Sequence, residues 1–527
     1  MPIIQLMDIW QDIKLTGDIL GRSAARLGSK TAIICGDVRL SYAELEAAAN
    51  RTANAFQNLG LAKGAKISIM ARNVPEYAVS YFGAARSGHV LVHISTRYIA
   101  DELAFVLNKS DSEALIVEAA FADVAQAALK DCPAVRHLIV IADFEGTHPM
   151  PDEVTSFAEL IADEETSAPD VEILETDLFG ITFTGGTTGF PKGAVVDHRA
   201  RLISSLVSVR EEYVLESDVA AVTTPLFHTA GLFIWFQATV MAGATSVLIP
   251  QWSPTAFFDA VQNHSVTAAF MVPTQIVMLL NDADFDDEIF ARLARISYGG
   301  APMPPAVLDD LHIRFPPLRV FSNYGQTEAC PLASALTNTT PGHDAALGKI
   351  PAGIEVAVLS PDGEPVGPGV IGEIASRGPH VMRGYYNDAE QTADYFRHGW
   401  GMTGDLGVMD EWGYLKLVDR SKDMVISGGE NIYPKEIENV LHRHSAVAEC
   451  AVFGVPDETW GEAVAAHVCL RNGEIADGAE LLAFCADNLA HFKLPKMLLV
   501  VDELPKTAIG KIQKNVLRDR YPEGLPT

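Results

Sequence analysis

The sequence lacks a membrane span, a secretory signal, a paired-cysteine pattern and an excess of positive charge. Each absence removes a class of function. No apolar run reaches the roughly 18 residues that a bilayer crossing needs. The N-terminal MPIIQLMDIWQDIKL has acids where a secretory signal carries bases, and it has no apolar central segment. The final GLPT is neither a peroxisomal nor a prenylation signal, so a cytoplasmic chain without stable membrane insertion is expected. Cys35, Cys132, Cys330, Cys450, Cys469 and Cys485 are scattered, with no CxxC pair. That excludes a disulfide framework and a zinc-ligand spacing, and reads as buried thiols of a reducing compartment. Basic residues are outnumbered, 39 against 68 acids, for a formal net charge of -29. No nucleic-acid partner and no anionic membrane surface fit that balance. A site for a polyanion must therefore be basic only locally.

What is present is an alternation of apolar strands and helices along 527 residues, too long for one core, since single cores stop growing near ~250–300 residues. Ser41 and Glu44 form a capping-box pattern ahead of Leu45, Ala48, Thr52, Phe56 and Leu59 at helical spacing, with Gly60 where the helix should stop. Strand-like KISIMARN, EALIVE, HLIVIA, LFGITFT, AAVTTPL, TSVLIP, AAFMVP, RISYGG and LRVFSNYG follow with helical segments between them. This pattern predicts an α/β fold with largely parallel sheets, whose ligands sit beyond the carboxyl ends of the strands. After about residue 345 the texture turns to short strands and Pro/Gly turns, a β-barrel-like subdomain. Past Asn431 the pattern is α+β again, with Pro434 at a first helical position. The expected organisation is a large domain over residues 1–420 and a small mobile domain over 421–527.

The stretch FTGGTTGFPKG, Phe183 to Gly193, follows one of those strands and contains four glycines, three threonines and one lysine. Glycines let backbone N–H groups converge on an anion, hydroxyls add donors and lysine adds a charge. It is a phosphate cradle by composition, though not a Walker loop, because no position satisfies G-x-x-x-x-G-K-[ST].

This loop resembles the phosphate-binding motif of the adenylate-forming enzymes, the superfamily of acyl-CoA synthetases, peptide-synthetase adenylation domains and luciferases. Six further motifs occur in the family's order: PLFHTAGL, YGGAP, NYGQTE, TGD, DRSKDMVISGGENIYPKEIE and PKTAIGKIQK. The resemblance implies an acyl-CoA synthetase that uses ATP, Mg²⁺ and coenzyme A. It implies that Thr184, Gly185, Gly186, Thr187, Thr188, Gly189 and Lys192 hold phosphates. By the same resemblance Gly300, Ala301, Pro302, Asn323, Tyr324 and Gly325 surround the adenine, and Asp405 and Arg420 meet the ribose. Thr327 would donate to the α-phosphate, Glu328 with Thr188 would hold the metal, and Lys511 would bridge the acid's carboxylate and the α-phosphate. His228 would gate the acid pocket, lined also by Phe233 and Gly325. Lys422 matches the hinge about which the small domain rotates, after which Gly428 and Gly429 would face CoA.

The acid itself is legible only in outline. TAGLFIWFQATVMAGA is apolar and carries no Arg, Lys or Asp, which favours a medium-chain fatty, cyclic or aromatic monocarboxylate. The reaction expected is adenylation with release of pyrophosphate, then thioester formation with release of AMP. An adenylating enzyme with a carrier-protein thiol or an amine as acceptor is the alternative. A small-molecule acid is the expected partner, and a homodimer is the assembly left open.

Overall fold

The computed structural model describes residues 13–184, 191–337, 346–420, 423–427, 430–457, 460–506 and 512–525. The chain divides into two compact units, Met1–Val356 with Ser376–Gly401, and Ala357–Ala375 with Met402–Thr527.

In the first unit one sheet runs Val38–Ser41, Thr31–Cys35, Thr245–Leu248, Val219–Val222, Ala268–Met271, Arg295–Gly299, Arg319–Tyr324 and Ala333–Leu336. From Thr245–Leu248 to Arg319–Tyr324 the neighbours are parallel. A second sheet contains Lys192–Asp197, Leu178–Thr184, Val90–His93, Lys66–Met70, Ser112–Glu118 and His137–Ile141 in that order. Its core pairs are parallel too, as the continuous apolar strands predict. The helix Tyr42–Asn58 starts as the capping box requires: Ser41 Oγ accepts from Glu44 N–H, and Glu44 Oε2 accepts from Ser41 N–H at 2.8 Å. Leu45, Thr52 and Phe56 are fully buried, and Gly60 takes φ +70° just past the helix end.

Trp400–Met409, which enters the second unit at Met402, and Tyr414–Arg420 form an antiparallel hairpin about Asp410–Gly413, where Gly413 has φ +80°. Further along, a five-stranded sheet holds Glu430–Ile432, Val425–Ser427, Gly461–Leu470, Val447–Asp457 and Met497–Val500. The helices Pro434–Leu441 and Gly478–Asn488 contribute Ile437, Leu441, Leu481 and Cys485 to its core. This is the α+β texture expected there, with Pro434 in the first helical turn. All six cysteines are buried and free. Among the described residues no helix is long and apolar enough to cross a membrane.

Candidate active site

Each large sheet of the first unit has a point where strand order reverses. Val219–Val222 lies between Thr245–Leu248 and Ala268–Met271, parallel to both. Lys66–Met70 lies between Val90–His93 and Ser112–Glu118 in the same way. Helices leave such a strand's end toward opposite faces and open a crevice there. Asn73, 4% exposed, ties the two crevices together. Its Nδ2 donates to Val222 O at 3.2 Å and Thr224 O at 3.1 Å, and its Oδ1 accepts from Leu226 N–H at 2.8 Å. The segment so held is the PLFHTAGL motif. Gly231 sits on its own loop, since a Cβ there would stand 2.6 Å from Thr224 O. His228 stands two residues before a π-helical stretch, Ala230–Phe236, a form common at functional sites. Its carbonyl accepts from Leu232 N–H at 3.0 Å, and its Nδ1 from Ala230 N–H at 3.3 Å.

Two neighbouring strand ends lie side by side with bare backbone between them. Gly299 and Asn323 are partners in the parallel pair Arg295–Gly299 and Arg319–Tyr324. A Cβ on Gly299 would lie 2.9 Å from Asn323 O, so only glycine lets the two backbones approach this closely. Gly300 follows at φ +81°, with Ala301 and Pro302 exposed. The Asn323 Nδ2 is buried without a hydrogen-bond partner beside this edge. A buried orphan amide donor next to a surface of bare backbone suits the acceptor edge of a purine ring. Tyr324 and Gly325 continue from the same strand end. Gly325 is packed against Cys330, where a Cβ would meet Cys330 Cβ at 2.9 Å.

The glycine-rich stretch is flanked by two strands that pair with each other. Leu178–Thr184 pairs antiparallel with Lys192–Asp197, and Thr184 faces Lys192 across the neck. Lys192 Nζ donates to Gln391 Oε1 and lies 5.4 Å from the centre of the Tyr385 ring. Tyr385 in turn donates its hydroxyl to Glu328 Oε1 at 2.7 Å. Burial pushes the Tyr385 hydroxyl's pKa far up, and the Glu328 carboxylate adds to it. The structure thereby brings Glu328, from a distant motif, to the strand pair that holds Thr184 and Lys192, through Tyr385. Thr327, half-buried, precedes Glu328 in the same loop. The Glu328 carboxylate is hard-oxygen chemistry that fits a divalent ion. Among the described residues no group of three or more His, Cys, Asp or Glu forms a metal cluster.

Phe233 is buried at 1% exposure. A charge reaches it from outside the uncharged stretch that contains it. Arg201, on the helix His198–Glu211, lays its guanidinium carbon 3.7 Å from the Phe233 ring centre. Tyr81 and His93 flank the same ring at 6.0 and 5.6 Å between centroids.

In the second unit Asp405 and Arg420 are cross-strand partners 3.3 Å apart. Asp405 is 3% exposed and follows Gly404, which takes φ +70° within the strand Trp400–Met409. Asp419 beside them accepts from Arg420 N–H at 2.7 Å and from Lys435 N–H at 2.8 Å, anchoring the start of Pro434–Leu441. Glu438 on that helix pairs with half-buried Lys514 at 2.7 Å.

Gly185, Gly186, Thr187, Thr188, Gly189, Lys422, Gly428, Gly429 and Lys511 lie outside the described residues. The sequence reading missed Asn73, Arg201, Tyr385 and Gln391. Asn73 carried a signal, a polar amide closing an apolar strand in KISIMARN. Tyr385 carried none, being 57 residues from its partner Glu328.

Residues 20–386 match the family model described as AMP-binding enzyme, and residues 436–511 that of the AMP-binding enzyme C-terminal domain. A feruloyl-CoA synthase of Amycolatopsis sp is 36% identical over 495 residues, 93% of this chain and 96% of that protein. An indoleacetate–CoA ligase of Aromatoleum aromaticum is 33% identical over 504 residues, 95% and 96% of the two chains. The ATP-bound structure of MatB from Rhodopseudomonas palustris superposes with a TM-score of 0.87 at 30% identity, covering 96% of this chain and 99% of that one.

Proposed function

The chain belongs to the AMP-binding enzymes and is an ATP-dependent acid–CoA ligase acting through an acyl-adenylate; on that premise we propose the roles of its residues and the class of its acid. The observation that carries the nucleotide assignment is the orphan Nδ2 of Asn323 beside the bare backbone of Gly299 and Gly300. Adenine lies along Gly300, Ala301 and Pro302, with Asn323 donating to a ring nitrogen and Tyr324 against its face. Asp405 and Arg420 take the ribose hydroxyls, as an ionised carboxylate can accept from both. Thr184, Lys192 and the loop residues 185–189 cradle the phosphates, and Thr327 donates to the α-phosphate.

A free carboxylate is a poor acyl donor because oxide does not leave. Transfer to AMP supplies a leaving group, and the negative charge gathering on the α-phosphorus must be met by fixed donors. Lys511 and the loop supply them. Glu328 and Thr188 would hold Mg²⁺, which when bound adds positive charge against the phosphates. Residues 1–420 form the adenylating body, and 421–527 turn about Lys422 so that Gly428 and Gly429 meet the thiol in the second half-reaction. The acid is a fatty, cyclic or aromatic monocarboxylate. The fully buried Phe233, Trp235 and Phe236 after His228 support an apolar body, as do the aryl acids in the relatives' names. Six buried free thiols support a reducing, cytoplasmic setting.

The test has two arms. Asn323→Ala should raise KM for ATP about tenfold, the worth of one hydrogen bond, with KM for CoA unmoved; an unchanged KM for ATP overturns the adenine placement. AMP release across straight-chain, cyclic and aromatic acids, with and without CoA, should rise only with CoA and one acid class. AMP formed equally without CoA would mean another acceptor.

A further inference from the structure

We propose that Arg201, with His93 and Thr182, forms a buried polar subsite that receives a hydrogen-bond-accepting oxygen on the body of the acid, remote from the carboxylate that is adenylated. The inference rests on the reading of Phe233 as part of the acid pocket.

Arg201 is 1% exposed, yet its Nε and Nη2 have no hydrogen-bond partner. Its Nη1 reaches only the Cys330 sulfur, at 3.8 Å, and its face covers Phe233. Among the described residues no carboxylate stands at ion-pair distance from it. The nearest acid in its helix turn, Asp197, is taken by Arg383 and by Ala200 N–H. A guanidinium stays cationic, and burying one unmet costs several kcal/mol unless an acceptor reaches it. A core built only for packing would have an aliphatic residue here.

The surrounding polar atoms repeat the pattern. His93 is 2% exposed, holds Tyr77 through Nδ1 at 2.8 Å, and leaves Nε2 without a partner. Burial, with Arg201 adding to it, pulls this imidazole down to about 3, so the ring is neutral. When Tyr77 donates to Nδ1, the proton sits on Nε2 and points away from Tyr77. Thr182 is the register partner of His93 on the adjacent strand, and its buried Oγ1 is also without a partner. Gly180 is on the same side of that strand, and a Cβ there would stand 3.6 Å from His93 Nε2, so the Nε2 edge faces this strand. Thr184 is two residues beyond Thr182, about 7 Å along the strand toward the phosphate loop. The orphan donors thus occupy the strand face that leads to the reacting centre, and Phe233 carries Arg201 over its face and His93 at its edge.

Donors of this kind discriminate strongly. A site built to hydrogen-bond a substrate oxygen rejects the analogue lacking it far better than a greasy pocket rejects a methylene. A monocarboxylic acid carrying a ring carbonyl meets the donors, and a bare hydrocarbon acid leaves them buried and unmet.

The experiment measures kcat/KM for AMP release by the full-length enzyme with ATP and CoA on matched trios. Cyclohexanecarboxylate, 4-oxocyclohexanecarboxylate and cyclohexane-1,4-dicarboxylate form one trio, and phenyl and straight-chain trios of the same design complete the set. Wild type should prefer an oxygenated member by at least about 100-fold, and the oxo and dicarboxylate arms tell a neutral acceptor from an anionic one. Arg201→Leu should reverse the preference toward the hydrocarbon acid with KM for ATP unmoved. Thr182→Val, nearly isosteric, should reduce it in the same direction and serves if the arginine variant does not fold. A wild type that turns over the hydrocarbon acids as well as both oxygenated partners overturns the subsite while leaving the ligase reading intact. Failure of every acid to release AMP with CoA would instead strike that underlying reading.

Discussion

Glu212 shows how a single buried group sets a pH response. It closes the helix His198–Glu211 at 1% exposure, and burial pushes its carboxyl up to about 8 against the pull of Ser297 and Arg295. The folded chain therefore holds this proton in a range where the unfolded chain has released it. Between the ordinary carboxylate pKa and about 8, stability falls as pH rises; below that range the contribution is complete. Glu212→Gln keeps the shape of the neutral acid and removes the titration. Melting temperatures at pH 5.5 and 8.5 should converge in the variant and diverge in wild type, and parallel curves would mean Glu212 is ionised throughout. The same helix explains a gap in the sequence reading. HRARLISSLVSVREE reads only as a helical segment between strands, and nothing in it marks Arg201, Ser204, Ser205 and Ser208 as buried, which they all are. Composition cannot tell a solvent-facing arginine from one turned inward, because only the packing of the π-helical stretch against it decides.

At the scale of elements, the strands that end in glycine, asparagine or threonine were readable, and so was the parallel α/β alternation that places ligands at their carboxyl ends. The capping box fixed the start of Tyr42–Asn58 for a local reason. What local patterns could not supply was partnership. The antiparallel pairing of Leu178–Thr184 with Lys192–Asp197 was not readable, because the polarity of the glycine-rich stretch between them gives no register. Likewise the link between the two switch points passes through one amide. Asn73→Ala would strand the Leu226 N–H and two carbonyls in the interior, a loss of about 1–3 kcal/mol for each group left unmet. We expect a lower melting temperature together with a kcat reduced about 10- to 100-fold, since His228 follows directly on the loop that Asn73 holds and small misplacements are costly. A variant that melts early but turns over normally would reduce Asn73 to scaffolding.

For the molecule as a whole, the proposed alternation assigns different residues to the two half-reactions. Lys511→Ala should slow pyrophosphate release by about 10²–10³ or more while largely sparing thioester formation from supplied acyl-adenylate. Equal loss of both would refute a two-conformation cycle about Lys422. The buried cysteines have a bearing on the same chemistry. An acyl-adenylate is a strong acylating agent, and any accessible thiolate competes with the intended acceptor. Cys35 is pushed up to about 12 and Cys485 to about 11 by burial, and the remaining four are raised as well. All six are closed off from solvent. The enzyme thus carries its own thiols as protonated, shielded groups, and is protected against self-acylation by the intermediate it makes.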